Sequence, residues 1–141
     1  MRPTSEDDLG VLFGTAEEIP TKHLLRAGDL DVWVQGHALR SIQYRGSEVW
    51  HGASFLFRNR HWGTPEHIVT GQRIRRQDHG FSVEIQGRVH APVSLDFSIC
   101  IEGNDKHQIK YSVRAQAAQD VVGNRCGLVL MHPLSCCGQA I

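Results

Sequence analysis

The stretch FSVEIQGRVHAPVSLDFSICIEGNDKHQIKYSVRAQAA, Phe81 to Ala118, decides the fold, because apolar and polar residues alternate in it at period two through three successive pieces. Phe81, Val83, Ile85, Gly87 and Val89 share one face; Val93, Leu95, Phe97, Ile99 and Ile101 repeat the pattern, and Ile109, Tyr111, Val113, Ala115 and Ala117 repeat it again. Such alternation predicts strands with one buried side. The other side carries Ser82, Glu84, Gln86 and Arg88, then Ser94, Asp96 and Ser98, then Lys110, Ser112, Arg114 and Gln116, and so faces water or a polar partner. The expected arrangement is an antiparallel meander.

Register follows from the same pattern, since a slip of one residue would turn the apolar face outward. A two-residue Ala91-Pro92 turn would oppose Val89 to Ser94, so the first loop needs three or five residues; five set Arg88 against Asp96. In the second hairpin a loop from Gly103 to His107 pairs Ile101 with Ile109, Ile99 with Tyr111, Phe97 with Val113 and Asp96 with Arg114. An Arg88-Asp96-Arg114 ladder is the expectation, each exposed pair contributing ~0.2–1 kcal/mol.

Working outward, short strands are expected at Leu24–Ala27, Leu30–Gln35, Ala38–Tyr44, Glu48–Trp50, Ser54–Asn59 and Ile68–Arg76, parted by Gly28-Asp29, Gly36-His37, Arg45-Gly46-Ser47 and His51-Gly52. Phe13-Gly14-Thr15 reads as an edge segment, and Asn59 to Pro65 as an irregular loop. Ala115 to Val122 is compatible with a short helix but is read as strand, then bend. Gly127-Leu128-Val129-Leu130-Met131 is continuously apolar, which predicts a strand buried on both faces that fills the centre and roofs the meander. The fold class is therefore all-β: an antiparallel sandwich, expected to be incomplete at its C-terminal side. Residues 1–10 are expected to be a disordered tail and 11–141 a single truncated domain, 141 residues being enough for one core.

Fifteen basic residues balance fifteen acidic ones, so charge offers no basis for a nucleic-acid or membrane partner. No apolar run reaches the ~18 residues of a spanning helix, and a cytoplasmic location is expected. Cys100, Cys126, Cys136 and Cys137 are too few for a disulfide scaffold and are read as reduced thiols. Cys126, His132, Cys136 and Cys137 have zinc-ligand chemistry, but their spacing matches no common site, and neither metal nor cofactor is expected.

No nucleophile elbow, phosphate-binding glycine loop, Cys-x-x-Cys pair or His-Glu-x-x-His is present, and no catalytic residue is named. Glu48, Glu66, Glu84 and Asp96 form no pair that sequence places at acid–base distance. The candidate ligand-binding residues are Arg58, His61, Trp62, Arg125 and His132: an aromatic face suits sugar C–H groups while Arg and His bond hydroxyls. The plainer reading is a loop anchored by a buried Trp62, with His132 bonding backbone where a strand ends.

Three blocks carry a family likeness: Phe13-Gly14-Thr15 with Leu25-Arg26-Ala27-Gly28; Leu39 to Val49 running to Phe57-Arg58-Asn59-Arg60-His61-Trp62-Gly63-Thr64; and Asn124-Arg125-Cys126-Gly127-Leu128-Val129-Leu130-Met131-His132-Pro133. Together they resemble the amino-terminal region of D-apionate lactonases, over nearly the whole span from Val11 to Pro133. The resemblance implies a sugar-acid lactone as substrate, hydrolysis of D-apionolactone to D-apionate, and an antiparallel β-sandwich, expected to be of the galactose-mutarotase-like, supersandwich type, preceding a downstream barrel domain and a further β domain. Cys126 and Cys136-Cys137 depart from the small or hydroxyl residues expected there. On this reading the chain is inactive alone; the alternative is a stand-alone carbohydrate-binding or mutarotase-like β module. An unfinished sheet would also expose an edge open to homo-oligomer formation.

Overall fold

The computed structural model describes residues 18–90 and 94–139, so the expectations for the tail, for Phe13-Gly14-Thr15 and for Val93 and the Ala91-Pro92 turn lie outside the described residues. Ten strands follow one another: β1 Lys22–Ala27, β2 Leu30–Gln35, β3 Ala38–Tyr44, β4 Ser47–Trp50, β5 Gly52–Asn59, β6 His67–Arg76, β7 Phe81–Val89, β8 Leu95–Gly103, β9 Ile109–Ala117 and β10 Gly123–Met131. A single 3-10 turn, Leu134–Cys136, comes after them. The strands form two antiparallel sheets, β1-β2-β3-β5-β10 with β4 also on β3, and β6-β7-β8-β9. The all-β sandwich is thereby shown, and no helix among the described residues is long and apolar enough to cross a membrane.

The core is the contact of two inward faces. Phe81, Val83, Ile85, Val89, Leu95, Phe97, Ile99 and Ile101 of the meander are buried against Leu25, Val32, Val34, Leu39, Phe55 and Phe57 of the larger sheet. Phe55 and Phe97 meet across the layers with ring centroids 5.3 Å apart. At roughly 1.5–3 kcal/mol for each large apolar side chain removed from water, this layer is the chief stabilising term. The outward residues Glu84, Gln86, Arg88 and Asp96 are exposed, as alternation requires.

The first hairpin has the expected register, Arg88 opposite Asp96, with Nε and Oδ1 3.3 Å apart. The second is displaced by two residues: Gly103 faces Ile109, Ile101 faces Tyr111 and Phe97 faces Ala115. Asn104 causes the displacement. Its Oδ1 accepts from the backbone N–H of Lys106 (2.9 Å) and Gln108 (3.3 Å), closing the loop at Asn104–Gln108 rather than one residue earlier. The faces survive a two-residue shift, but Arg114 falls opposite Ser98, so the three-residue charge ladder does not form.

The second correction concerns β10. It begins earlier than expected, at Gly123, and lies at the rim of the larger sheet, paired only with β5. Leu128 and Leu130 are 47% and 57% exposed, so the segment neither fills the centre nor roofs the meander. That role belongs to β1, β2, β3 and β5. A continuous apolar run reports side-chain type and says nothing of how many neighbouring strands are present.

Close approach dictates glycine at several positions, Gly28 and Gly87 among them. At Gly28 (φ +58) a Cβ would stand 2.3 Å from His107 Nδ1, the atom that accepts from the Asp29 N–H at 2.9 Å and ties the β1–β2 turn to the β8–β9 loop. At Gly87 a Cβ would meet Phe97 Cζ at 2.2 Å and the Ile68 carbonyl oxygen at 2.6 Å. Gly87→Ala is expected to cost about 1–3 kcal/mol by overpacking, read as a lower urea midpoint at unchanged slope.

Candidate functional site

The passage from β5 to β6 carries the chain from one sheet to the other, and the residues along it form the candidate site. Its first half is a loop wound on Asn59. Asn59 Oδ1 accepts from the N–H of His61 and of Gly63, each at 2.9 Å, the Asn59 N–H donates to the Gly63 carbonyl (2.9 Å), and the Trp62 N–H donates to the Asn59 carbonyl (3.0 Å). Arg58 Nη1 donates to the Trp62 carbonyl at 3.2 Å, and Asn124 Nδ2 on β10 to the Arg60 carbonyl at 2.9 Å. The winding holds Trp62 in the left-handed region (φ +64) and leaves it 58% exposed, so it does not anchor the loop by burial.

The register of β5 and β10 sets Arg125 directly opposite Arg58, and side chains of opposed residues project to the same face. Neither guanidinium enters an ion pair among the described residues. Arg58, His61, Trp62 and Arg125 therefore come together at one end of the larger sheet. His132 does not join them. It lies beyond the far end of β10, roughly 23 Å along the strand from Arg125, with its ring 4.7 Å from that of Trp50. The cysteines are all unpaired, and the described residues contain no group of three or more His, Cys, Asp or Glu able to hold a metal ion.

The second half of the passage ends in a cluster that sequence reasoning missed. β5 pairs with β3 only through Ala53 and Ser54, then runs on past the start of β3, leaving backbone groups of Phe55 and Phe57 without a strand partner on that side. Side chains take the vacant places. The Phe55 N–H donates to Tyr111 Oη (3.2 Å), whose own hydroxyl donates to the His37 carbonyl (2.7 Å); the Phe55 carbonyl accepts from His37 Nε2 (3.2 Å). The Phe57 N–H donates to His67 Nε2 at 3.1 Å, so the ring is neutral with its proton on Nδ1, which donates to the Pro65 carbonyl at 2.8 Å. The two imidazoles stack with centroids 5.2 Å apart.

Burial governs the titration of this cluster. It lowers His37 to about 4, with the neighbouring His67 as a second cause, lowers His67 as well, and raises the Tyr111 phenol to about 12. All three groups are uncharged at neutral pH. They serve as structural donors and acceptors. Little in the sequence signals them: His37 lies in a turn, His67 at the very start of a strand, and only Tyr111 stands as a polar group on an otherwise apolar face.

Residues 11–141 match the family model described as D-apionate lactonase, N-terminal domain. The chain belongs to this family. A D-apionate lactonase of Brucella anthropi is 32% identical to this N-terminal domain over 132 residues, which cover 92% of the chain but 22% of the relative's length. No solved structure matches the chain. The chain thus spans about a fifth of the length of the curated relative it matches.

Because the fold holds His37 neutral, an unfolded chain with an ordinary imidazole binds a proton that the folded chain refuses between pH 6.5 and about 4. Stability contributed by the neutral ring is complete above pH 6.5 and declines as pH falls through that window, by up to about 3 kcal/mol. His37→Gln, which keeps an N–H donor without a titrating ring, is expected to flatten this decline in urea unfolding measured from pH 7.5 to 4.

Proposed function

We propose that this chain is the N-terminal β-sandwich module of a D-apionate lactonase-type hydrolase that opens D-apionolactone with water to give D-apionate, and that turnover requires polypeptide beyond the module. The observation carrying the proposal is the match across residues 11–141 combined with coverage of only 22% of the relative that bears the lactonase name. The chemistry agrees with it. Opening a lactone requires attack at the ring carbonyl and donors for the developing oxyanion. At the sheet passage, by contrast, the Asn59 carboxamide, the two imidazoles and the Tyr111 hydroxyl are spent on backbone groups. The expected result is no lactone opening by the 141-residue protein, and opening once the remaining lactonase sequence is joined to it. Hydrolysis by the short protein itself, followed by carboxylate release, would refute the assignment.

One observation favours a second reading, a carbohydrate-binding β module: an exposed indole held by a wound loop next to two guanidiniums. A flat aromatic face with adjacent cations suits a hydroxylated ligand bearing a carboxylate, such as a sugar acid. Titration of the protein with D-apionate then gives saturable binding, and Trp62→Ala weakens it about fivefold or more with the thermal midpoint unchanged. Equal affinity of the two proteins removes this reading.

A further inference from the structure

The two sheets are not closed along the side where β9 and β10 lie. β9 is the last strand of one sheet and β10 the last of the other, so each has a row of backbone groups without a neighbour. Leu128 and Leu130 stand opposite Phe55 and Ala53, both core residues, and so point inward; yet both are largely exposed. Across from them, Ile109, Tyr111 and Val113 on the inner face of β9 are only partly buried. Between the strands runs a groove of about 390 Å³ whose walls include Leu39, Trp50, Ile109, Tyr111, Leu128 and Leu130. Inward-pointing leucines in contact with water are the mark of a layer that lacks an occupant.

We propose that this groove receives a β-strand from the polypeptide that follows the N-terminal domain in the D-apionate lactonases, the strand adding to the free edge of β9 and laying apolar side chains over Leu128 and Leu130. The proposal rests on family membership and on the domain being part of a larger enzyme, and is independent of the reaction catalysed. Three observations choose this occupant. Most of the matched relative lies outside the aligned part, so polypeptide is available. The segment after β10 sets out from the groove itself, since the His132 ring lies tilted against Trp50, one of its walls, with centroids 4.7 Å apart, before Pro133 and the 3-10 turn.

Charge supplies the third observation and disfavours the self-pairing register of a second copy that is centred on Ser112. The outer face of β9 carries Lys110, Ser112, Arg114 and Gln116; of the two cations Lys110 stands 3.9 Å from Glu102 of β8, while Arg114 enters no ion pair among the described residues. Antiparallel pairing of β9 with itself about Ser112 would set Lys110 against Arg114 of the second copy, a destabilising like-charge pair. The fitting strand has apolar residues on its inward positions and at least one acidic residue on the outward ones. Recognition is then by backbone hydrogen bonds for affinity and alternate side chains for selectivity.

The test uses the 141-residue protein and, as probe, the Brucella anthropi lactonase expressed without the segment that aligns to it. Amide hydrogen exchange at 109–117 is expected to slow about tenfold or more when the probe is added, while exchange in β7 and β8 stays as it was. Leu128→Asp combined with Leu130→Asp, both at exposed positions, is expected to abolish the slowing and leave the circular dichroism unchanged. Unaltered exchange at β9 with the probe present overturns the proposal, as does slowing that survives the double substitution. Slowing that appears in the protein alone as its concentration rises overturns it in favour of a second copy. The readout does not involve turnover, so failure here leaves the lactonase assignment standing, and the reverse holds.

Discussion

A buried strand that outruns its neighbour must find partners for its amides elsewhere, and β5 is such a strand. Water is excluded from Phe55 and Phe57 by the packing of both sheets, so their backbone groups would cost about 1–3 kcal/mol each if left unpaired. His37, His67 and Tyr111 supply the missing bonds from three different strands or turns, two of them in or next to the opposite sheet. The same contacts therefore satisfy one sheet and attach it to the other. No buried side-chain nitrogen or oxygen among the described residues is without a hydrogen-bond partner, so the side chains that serve the backbone here are themselves satisfied.

This constraint also shapes the candidate site. His67 has to reach Phe57 at the start of β6, which requires the chain to leave β5, turn and come back within Arg60 to Glu66. The winding on Asn59 accomplishes the turn, and the left-handed backbone at Trp62 is its by-product. An aromatic ring is thereby held at the surface beside Arg58 and Arg125. Structural demand thus fixes where the exposed ring stands.

How much of this could be read in advance depended on how local the deciding contacts are. Alternation over Phe81 to Ala117 is a property of neighbouring residues, and it yielded the faces of β7, β8 and β9 and the Arg88–Asp96 pairing. The second register was lost to a single side chain, Asn104, whose carboxamide redefines where the loop closes. For β10 the apolar run Gly127 to Met131 was legible but its place was not, because position in a sheet is set by pairing with residues some seventy positions earlier. Arg58, His61, Trp62 and Arg125 were named from side-chain chemistry alone, whereas the nearness of Arg125 to Arg58 and Trp62 is a product of strand register and loop winding. The exclusion of His132 from it, and the imidazole–phenol cluster, depend on strand lengths and overlaps that only the assembled sheets reveal.

The pairing of β10 with β5 has a kinetic side. β7, β8 and β9 are joined by short loops and need only local closure to assemble, whereas β5 keeps just two residue pairs with β3 until Gly123–Met131 arrives to bond its other border. Loop closure over that distance is slow relative to hairpin formation. On a ribosome the meander is thus free to collapse first, and the older half of the sandwich waits, frayed along one seam, for β10 to be synthesised.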